Sequence, residues 1–403
     1  MKDNFYKNFN IESREVLLDL FISEDGYSIS SIIGTTFSLD LKWLLLFMLQ
    51  CYKNDTITES EPDASVLLNA VREYSDKMII FSEKGQIIGK GGSYRKIQEF
   101  LKKCVVQVPA LKGTFHPKVW IVRYERKDDA DMTTNDVKYK LFVMSRNAVF
   151  STAMETFVML EGTYNATAKN HNTQLVQFLN HLKLKNKSST RKHLNVMIKE
   201  LRKTEFSIEG QQIRDFNFYW QPGDPGNIYS FFNEKKYNEI MVFSPFLNAT
   251  MLSKLQRRTN KFTLVSNRDN LASFLSKDNF IHGSEFYSIM DLGVKNTQHN
   301  DTTDYEPQQT NEQVRGYLHS KAYFLEKING SVDVFMGSSN CTHNGLEGIN
   351  TEAVVHLEVN NVNVDDVRKE FILDENSKLR PHIEKFAIEQ LDSSKDDNEK
   401  NLN

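Results

Sequence analysis

The chain has 403 residues, of which 39% are hydrophobic and 11% are aromatic. This length and hydrophobic content are enough for two ordinary domains with cores of their own. The formal net charge of -3 excludes a polycation, so any binding to nucleic acid would require positive charge concentrated locally.

Hydropathy and cysteine content limit further the classes of protein to which the chain could belong. The mean hydropathy is -0.50, and the longest apolar run, at 41–51, is too short to cross a bilayer. The N-terminal segment has no apolar stretch of the kind an export signal needs. Cys51, Cys104 and Cys341 are widely spaced and form no CxxC pair, which argues against a disulfide framework or a zinc site. We therefore expect a reduced, cytoplasmic protein that neither enters a membrane nor holds a metal.

The first half of the chain alternates between predicted strands and helices. Short β-branched or aromatic runs predict strands, and 3.6-residue spacing of apolar positions predicts helices. A polar insert at 125–136 separates two of the strands and indicates a hairpin. The predicted strands are at 33–39, 77–82, 104–108, 115–124, 140–144 and 156–160, and the predicted helices are at 42–51, 174–184 and 191–202.

The second half repeats this order. A polar segment at 295–313 predicts a mobile loop. The alternation of strands and helices predicts an α/β fold in which mixed sheets carry helices on their faces. The predicted strands are at 239–243, 261–266, 285–290, 317–325, 332–336 and 352–359, and the predicted helices are at 251–256, 364–372 and 381–391.

A run rich in proline and glycine at 221–226 is the strongest linker signal, because both residue types interrupt helices and strands. The segment KLFVMSRNAV at Lys140 matches DVFMGSSNCT at Asp333, which indicates an internal duplication. The predicted organisation is an N-terminal domain at 1–205, a linker at 206–235, a C-terminal domain at 236–392 and a disordered tail at 393–403.

Two sets of polar residues occur in the same order in the two halves. Each set is a His-x-Lys tripeptide, then an apolar strand, then a serine–asparagine turn and a glutamate. A third tripeptide, His181-Leu182-Lys183, has no such turn and is interpreted as surface. Two polar side chains on one face of an apolar strand cost free energy unless they line a site. The candidate catalytic residues are His116, Lys118, Asn147 and Glu155 in the first set, and His319, Lys321, Asn340 and Glu352 in the second.

These residue types suit attack on phosphorus. A neutral imidazole is a competent nucleophile and would form a phosphohistidine intermediate, while a protonated imidazole can donate to the leaving oxygen. Lysine and asparagine donors can stabilise the phosphoryl oxygens, and a carboxylate can hold the other ring nitrogen of each histidine. Which histidine attacks stays open. The turn serines Ser145, Ser338 and Ser339 are candidates for substrate contacts.

In these motifs the chain resembles the phospholipase D superfamily, as a member with two motifs in one chain. The resemblance implies two α/β/α sandwich repeats related by a pseudo-twofold axis, with one active site at their interface and no cofactor. One feature departs from the phospholipase pattern: where an aspartate follows the lysine by five residues, this chain has Arg123 and Glu326. In this respect it looks more like the nuclease and DNA-repair branches, which include metal-independent restriction nucleases and tyrosyl-DNA phosphodiesterases. That likeness also implies a setting in bacterial restriction or phage defence.

Basic residues are concentrated at 183–203, which holds eight Lys or Arg against one acid, Glu200. A solvated helix face explains such a run as well as a nucleic-acid contact does. With a second cluster near 254–261, the weaker nucleic-acid-binding candidates are Lys183, Lys185, Lys187, Arg191, Lys192, Arg257 and Arg258.

The leading hypothesis is a metal-independent phosphodiesterase, a nuclease that acts on DNA rather than RNA. The first alternative is a catalytically silent or autoinhibited nucleic-acid-binding subunit of a larger defence complex. The second alternative is a phospholipid hydrolase, disfavoured by the altered aspartate positions and by the lack of an amphipathic membrane segment. Partner proteins of a defence or restriction system are expected under the first two hypotheses, and the oligomeric state is open.

Overall fold

The computed structural model describes most of the chain in a series of segments. They comprise residues 17–24, 26–56, 64–89, 100–101, 103–110, 112–127, 136–185, 191–208, 213–223, 226–232, 234–275, 283–289, 315–374 and 380–386. The predicted mobile loop at 295–313, the predicted tail at 393–403 and the middle of the polar insert, 128–135, lie outside these segments.

The elements of the first half are mostly those that the sequence predicts. The strands are β1 (Tyr27–Thr36), β2 (Leu39–Asp40), β3 (Met78–Glu83), β4 (Ile87–Ile88), β5 (Val105–Val108), β6 (Val119–Arg126), β7 (Val137–Met144), β8 (Thr152–Met154), β9 (Phe157–Tyr164) and β10 (Thr204–Ser207). The helices are α1 (Leu17–Leu20), α2 (Leu41–Thr56), α3 (Ala64–Lys77), α4 (Thr173–Lys185) and α5 (Arg191–Leu201).

The second half adds a comparable series. Its strands are β11 (Ile213–Gln221), β12 (Glu239–Phe243), β13 (Phe262–Asn267), β14 (Ser284–Ile289), β15 (Arg315–Leu318), β16 (Ala322–Glu326), β17 (Val332–Gly337), β18 (Glu352–Val359) and β19 (Ile383–Lys385). Its α-helices are α6 (Ala249–Gln256), α7 (Arg268–Leu275), α8 (His343–Leu346) and α9 (Val364–Arg368).

The two halves build two large mixed sheets with the same internal order. In the described residues the first sheet runs β10-β9-β7-β6-β1-β3-β5 and the second runs β11-β18-β17-β16-β12-β13-β14-β19. Six consecutive strands correspond, from β9 and β18 at one side to β5 and β14 at the other. In each repeat the parallel strands β1 and β3, or β12 and β13, lie beside antiparallel strands that carry the motifs. The predicted α/β fold of two repeats is therefore confirmed.

Each sheet is covered on its outer face by helices and on its inner face by a core that both halves share. The outer core of the first repeat packs α2 and α3 against residues such as Trp120, and α6 and α7 cover the second sheet in the same way. The inner core joins Val143 of β7, Met336 of β17 and Val355 of β18 in one continuous apolar cluster. Burying a side chain of this size contributes about 1.5–3 kcal/mol, so the shared core holds the two repeats together.

The structure corrects the predicted linker at 206–235. Ile213–Gln221 forms β11, which pairs antiparallel with β18 at the edge of the second sheet. The apolar positions of this segment alternate, and its side chains Phe218 and Trp220 are 7% and 6% exposed. Alternation of this kind is the period of a strand with one buried face, and the neighbouring proline–glycine run concealed it.

Two other predicted elements also differ from the structure. The closing helix at 381–391 is not helical at 383–385, where β19 adds to the sheet by pairing with β14. The long strand at 317–325 is interrupted at residues 319–321, so β15 and β16 are separate strands. No helix in the described segments is both long and apolar enough to cross a membrane.

Candidate active site

The two His-x-Lys tripeptides lie in extended segments just before β6 and β16, not within those strands as the sequence predicts. Their backbone hydrogen bonds reach across to the other repeat. The His116 amide donates to the carbonyl of Thr351, and the His319 amide donates to the carbonyl of Met154, both at 2.9 Å. Each accepting residue directly precedes one of the two candidate glutamates. The backbone therefore places each histidine beside the glutamate of the opposite half.

The side chains complete this crossed arrangement. Nδ1 of His116 lies 2.9 Å from Oε2 of Glu352, and Nδ1 of His319 lies 3.2 Å from Oε1 of Glu155. A carboxylate beside Nδ1 favours the tautomer that carries a proton there and leaves Nε2 as the reactive atom. Both imidazoles are buried, with exposures of 0% and 5%.

Glu352 is held by three donors. Its Oε2 accepts from Nδ1 of His116 and from the Ser338 hydroxyl, and its Oε1 accepts from Nδ2 of Asn350 at 3.1 Å. The Asn350 side chain also accepts from the Thr114 amide, in the first repeat. Burying a carboxylate is costly unless its oxygens are hydrogen-bonded, so these three donors offset the burial of Glu352. Sequence reasoning missed Asn350, whose only signal is its position two residues before the glutamate.

Glu155 has a different environment, because it lies close to the guanidinium of Arg146 as well as to His319. Nη1 of Arg146 lies 3.5 Å from Oε2 of Glu155. The same guanidinium donates from Nη2 to the carbonyls of Val149 and Ser151. Arg146 is the middle residue of the first serine–asparagine turn, where the second turn has Ser339. The two half-sites are therefore similar in backbone and unequal in charge.

Both motif lysines are fully buried beside their histidines. Nζ of Lys118 donates to the carbonyl of His116 at 3.0 Å. Nζ of Lys321 donates to the carbonyl of His319 and lies 2.9 Å from Nε2 of the same residue. Ammonium groups held in this way provide fixed positive charge and suit an anionic phosphoryl group.

The two asparagines lie in the turns that follow β7 and β17. Oδ1 of Asn147 accepts from the Phe37 amide at 3.3 Å. The Asn340 side chain is 1% exposed, and neither of its amide atoms has a hydrogen-bond partner among the described residues. Buried amides are normally paired, so Asn340 has both a donor and an acceptor ready for a bound group.

The turn serines have a structural task that the sequence did not reveal. Ser145 and Thr156 exchange two hydrogen bonds, between the Thr156 amide and the Ser145 hydroxyl and between the Ser145 amide and the Thr156 carbonyl. Ser338 and Ala353 exchange the same two bonds. Thr156 and Ala353 each follow a site glutamate, so these serines fix the glutamate-bearing strands. Ser339 differs, since its buried hydroxyl has no partner.

A chain of contacts links the second motif to the first histidine. The Gly337 amide donates to the carbonyl of Lys321 at 3.3 Å, and Ser338 next to it donates to Glu352, which accepts from His116. A Cβ at Gly337 would lie 2.3 Å from the carbonyl oxygen of Ala353, so only glycine fits against β18. Residues of both repeats thus form one continuous polar cluster inside the interface.

Of the weaker candidates, Lys183 and Lys185 lie at the C-terminal end of α4. His181, in the third tripeptide, is half-buried rather than on the surface, with its ring centroid 5.2 Å from that of Trp220. Burial and the nearby Lys185 lower the pKa of His181. Arg258 is engaged locally, 4.7 Å above the Tyr229 ring. Lys192 and Arg257 are exposed, Lys187 lies outside the described segments, and nothing is described of the Arg191 side chain.

The cysteines and the metal-ligating residues provide no second centre in the described segments. Cys51, Cys104 and Cys341 are buried and unpaired. Burial raises the pKa of the Cys104 thiol to about 12 and raises that of Cys341, beside Asn340, beyond this. No group of three or more His, Cys, Asp or Glu with the arrangement of a metal site occurs among the residues described.

Fold and site together define a two-repeat α/β protein in which paired His-x-Lys half-sites meet at the interface. Among solved structures, a mutant of the yeast tyrosyl-DNA phosphodiesterase is similar to this chain with 12% identity, a TM-score of 0.49 and coverage of 89% of each chain. The yeast tyrosyl-DNA phosphodiesterase is similar with 12% identity, a TM-score of 0.47 and 85% coverage of each chain. The polyphosphate kinase from Porphyromonas gingivalis has 10% identity and a TM-score of 0.45, over 93% of this chain and 46% of that one. No family model and no curated protein matches the sequence.

Proposed function

We propose that the chain is a metal-independent phosphodiesterase that cleaves DNA through a covalent phosphohistidine intermediate. The observation that carries this proposal is the reciprocal pairing of His116 with Glu352 and of His319 with Glu155. Glu352 accepts from Nδ1 of His116, and Glu155 lies 3.2 Å from Nδ1 of His319, so the carboxylates favour Nε2 as the reacting atom of each ring. Two imidazoles prepared in this way at one interface supply both a nucleophile and an acid.

The reaction has two steps. In the first, Nε2 of one histidine forms a bond to phosphorus, the bond from phosphorus to the leaving oxygen breaks, and the second histidine gives that oxygen a proton. In the second, the second histidine takes a proton from water, the water oxygen bonds to phosphorus, and the phosphorus–nitrogen bond breaks. Both histidines end in their starting states, and no electrons are exchanged with a cofactor.

The lysines and asparagines stabilise the charge that develops on the non-bridging oxygens. Lys118 and Lys321 are fully buried, which strengthens their interaction with an anion compared with water. Asn340 contributes two buried polar atoms that have no protein partner. This arrangement provides the electrostatic role that a metal ion has in other phosphodiesterases.

The test is cleavage of radiolabelled DNA, with RNA and phosphatidylcholine vesicles as comparison substrates, in excess EDTA. We expect DNA cleavage that His116→Ala and His319→Ala each reduce about 10²- to 10⁴-fold. His181→Ala is the matched control, because His181 belongs to the third His-x-Lys tripeptide and lies outside the site. Strict dependence on Mg²⁺, or turnover of the phospholipid alone, would contradict the proposal.

One observation favours the second candidate, an autoinhibited or silent nucleic-acid-binding subunit. Seven of the eight candidate catalytic residues are at most 7% exposed, which limits the access of a polynucleotide to them. Salt-dependent binding of DNA without turnover, unchanged by His116→Ala, is the result expected of such a subunit. The setting in defence and the partner proteins stay predictions.

A further inference from the structure

Two residues at the edge of the site occupy equivalent positions in the two repeats. Phe150 follows Asn147 by three residues, and His343 follows Asn340 by three residues. The loops that carry them are anchored alike: the Asp40 amide donates to the carbonyl of Ala148 at 2.9 Å, and the Asn248 amide donates to the carbonyl of Cys341 at 3.0 Å.

Both residues are exposed although the asparagines before them are buried. Phe150 is 47% exposed and the His343 side chain 55%, against 7% for Asn147 and 1% for Asn340. Three residues of chain span at most about 11 Å. Phe150 and His343 therefore lie at the rims of the first and the second half-site respectively, within reach of whatever flanks a phosphate held there.

The chemistry of the two rims differs. Phe150 presents an aromatic ring with Nζ of Lys42 5.9 Å from its centroid. His343 is paired with Glu347, which also binds Lys254. A substrate that crosses the interface thus meets an apolar ring beside a cation on one side and a neutralised polar cluster on the other.

The backbone on both sides of Phe150 is anchored by hydrogen bonds. Arg146 donates to the carbonyls of Val149 and Ser151, on either side of Phe150, at 3.4 and 3.3 Å. Scattered exposed apolar residues need no explanation in themselves. A ring whose backbone is anchored on both sides, that lies beside a lysine and is three residues from a site asparagine is a different case, since less backbone has to be ordered when a flat partner stacks on it.

We propose that Phe150 and Lys42 form a binding subsite for an unpaired nucleotide next to the scissile phosphate, which rests on the proposed function of the same site. The base stacks on the Phe150 ring, and the adjoining backbone phosphate contacts Lys42. Bases inside a duplex are already stacked on both faces, so the subsite selects single-stranded or frayed DNA ends. The rim of the second half-site, at His343, offers no comparable ring and accepts a group of a different kind.

The experiment measures binding of a fluorescein-labelled single-stranded oligonucleotide by anisotropy, in EDTA. Phe150→Ala is expected to weaken binding about tenfold or more, which corresponds to about 1.4 kcal/mol or more. Phe150→Trp, which keeps a ring, should retain the affinity. Ile328→Ala removes a 71% exposed apolar side chain from the turn between β16 and β17 and serves as control. Lys42→Gln should reduce the salt slope of binding by about one.

Two results would overturn the subsite: equal affinities of Phe150→Ala and the unchanged protein, or equal affinities of the unchanged protein for duplex and single strand. Cleavage is scored separately, so the two proposals fail in different ways. Binding through Phe150 without cleavage in EDTA removes the proposed function and leaves the subsite standing. Cleavage in EDTA together with an affinity for DNA that does not depend on Phe150 removes the subsite and leaves the proposed function standing.

Discussion

At the scale of residues, the crossed pairing is the property on which the site depends. In both repeats the carboxylate beside the histidine belongs to the opposite repeat. Glu352 lies beside His116, and Glu155 lies beside His319. A substitution of one glutamate should therefore change the environment of the histidine in the opposite repeat.

Glu352→Gln tests this dependence. The amide keeps the size of the side chain and removes its charge, so the Nδ1 proton of His116 loses its carboxylate acceptor. We expect activity to fall about 10²-fold or more and the ring nitrogen signals of His116 in ¹⁵N NMR to move, with those of His319 unchanged. Circular dichroism checks that the fold is retained. A spectrum in which only the His319 signals move would refute the crossed pairing.

Ser145→Ala tests whether Ser145 fixes the strand that carries Glu155 or contacts the substrate. The substitution leaves the half-buried Thr156 amide without its hydroxyl acceptor, which costs about 1 kcal/mol of unfolding free energy. Urea denaturation measures this loss, and Ser207→Ala, at the exposed end of β10, is the control. A raised KM at unchanged stability would instead support the substrate contact that the sequence suggests for Ser145.

At the scale of elements, the sequence predicts what is local and misses what depends on a distant partner. Most strands were found, because their apolar runs are short and clearly bounded. The strand β11 was missed although its apolar residues alternate, since its partner β18 lies more than a hundred residues further along the chain. The eight candidate site residues could be read from two repeated motifs. The pairing of His116 with Glu352 could not, because it depends on the contact of Phe115 with Thr351 across the interface.

Gln221, at the end of β11, shows how much that missed strand contributes. Its Nε2 donates to the carbonyls of Asn344 and Asn350, both at 3.1 Å, and its Oε1 accepts from the amides of Ile228 and Gly348. Gln221→Ala leaves these groups unpaired in a fully buried place, and we expect a loss of about 3 kcal/mol or more. Urea denaturation provides the measurement, with the exposed Gln107→Ala as control. A loss under 1 kcal/mol would mean that water replaces the amide.

At the scale of the whole molecule, the two repeats share a core and complete each other's half-site. The inner core joins both sheets. In addition, β8 of the first half pairs in parallel with β15 of the second half. Because each half supplies the carboxylate for the other, the histidine of an isolated repeat lacks the glutamate that lies beside its Nδ1.

Mixing two inactive variants tests whether one chain makes one complete site. His116→Ala and His319→Ala chains each lack one of the two histidines, and a site assembled within a chain cannot borrow the missing residue from another molecule. We therefore expect the co-expressed mixture to cleave DNA no faster than the two variants do separately. A matched mixture of either variant with the unchanged chain should show activity in proportion to the unchanged fraction. Recovery toward a quarter or half of full activity in the mixture of the two single variants would show that repeats exchange between chains. Only a swapped dimer brings an intact His116 from one chain together with an intact His319 from the other.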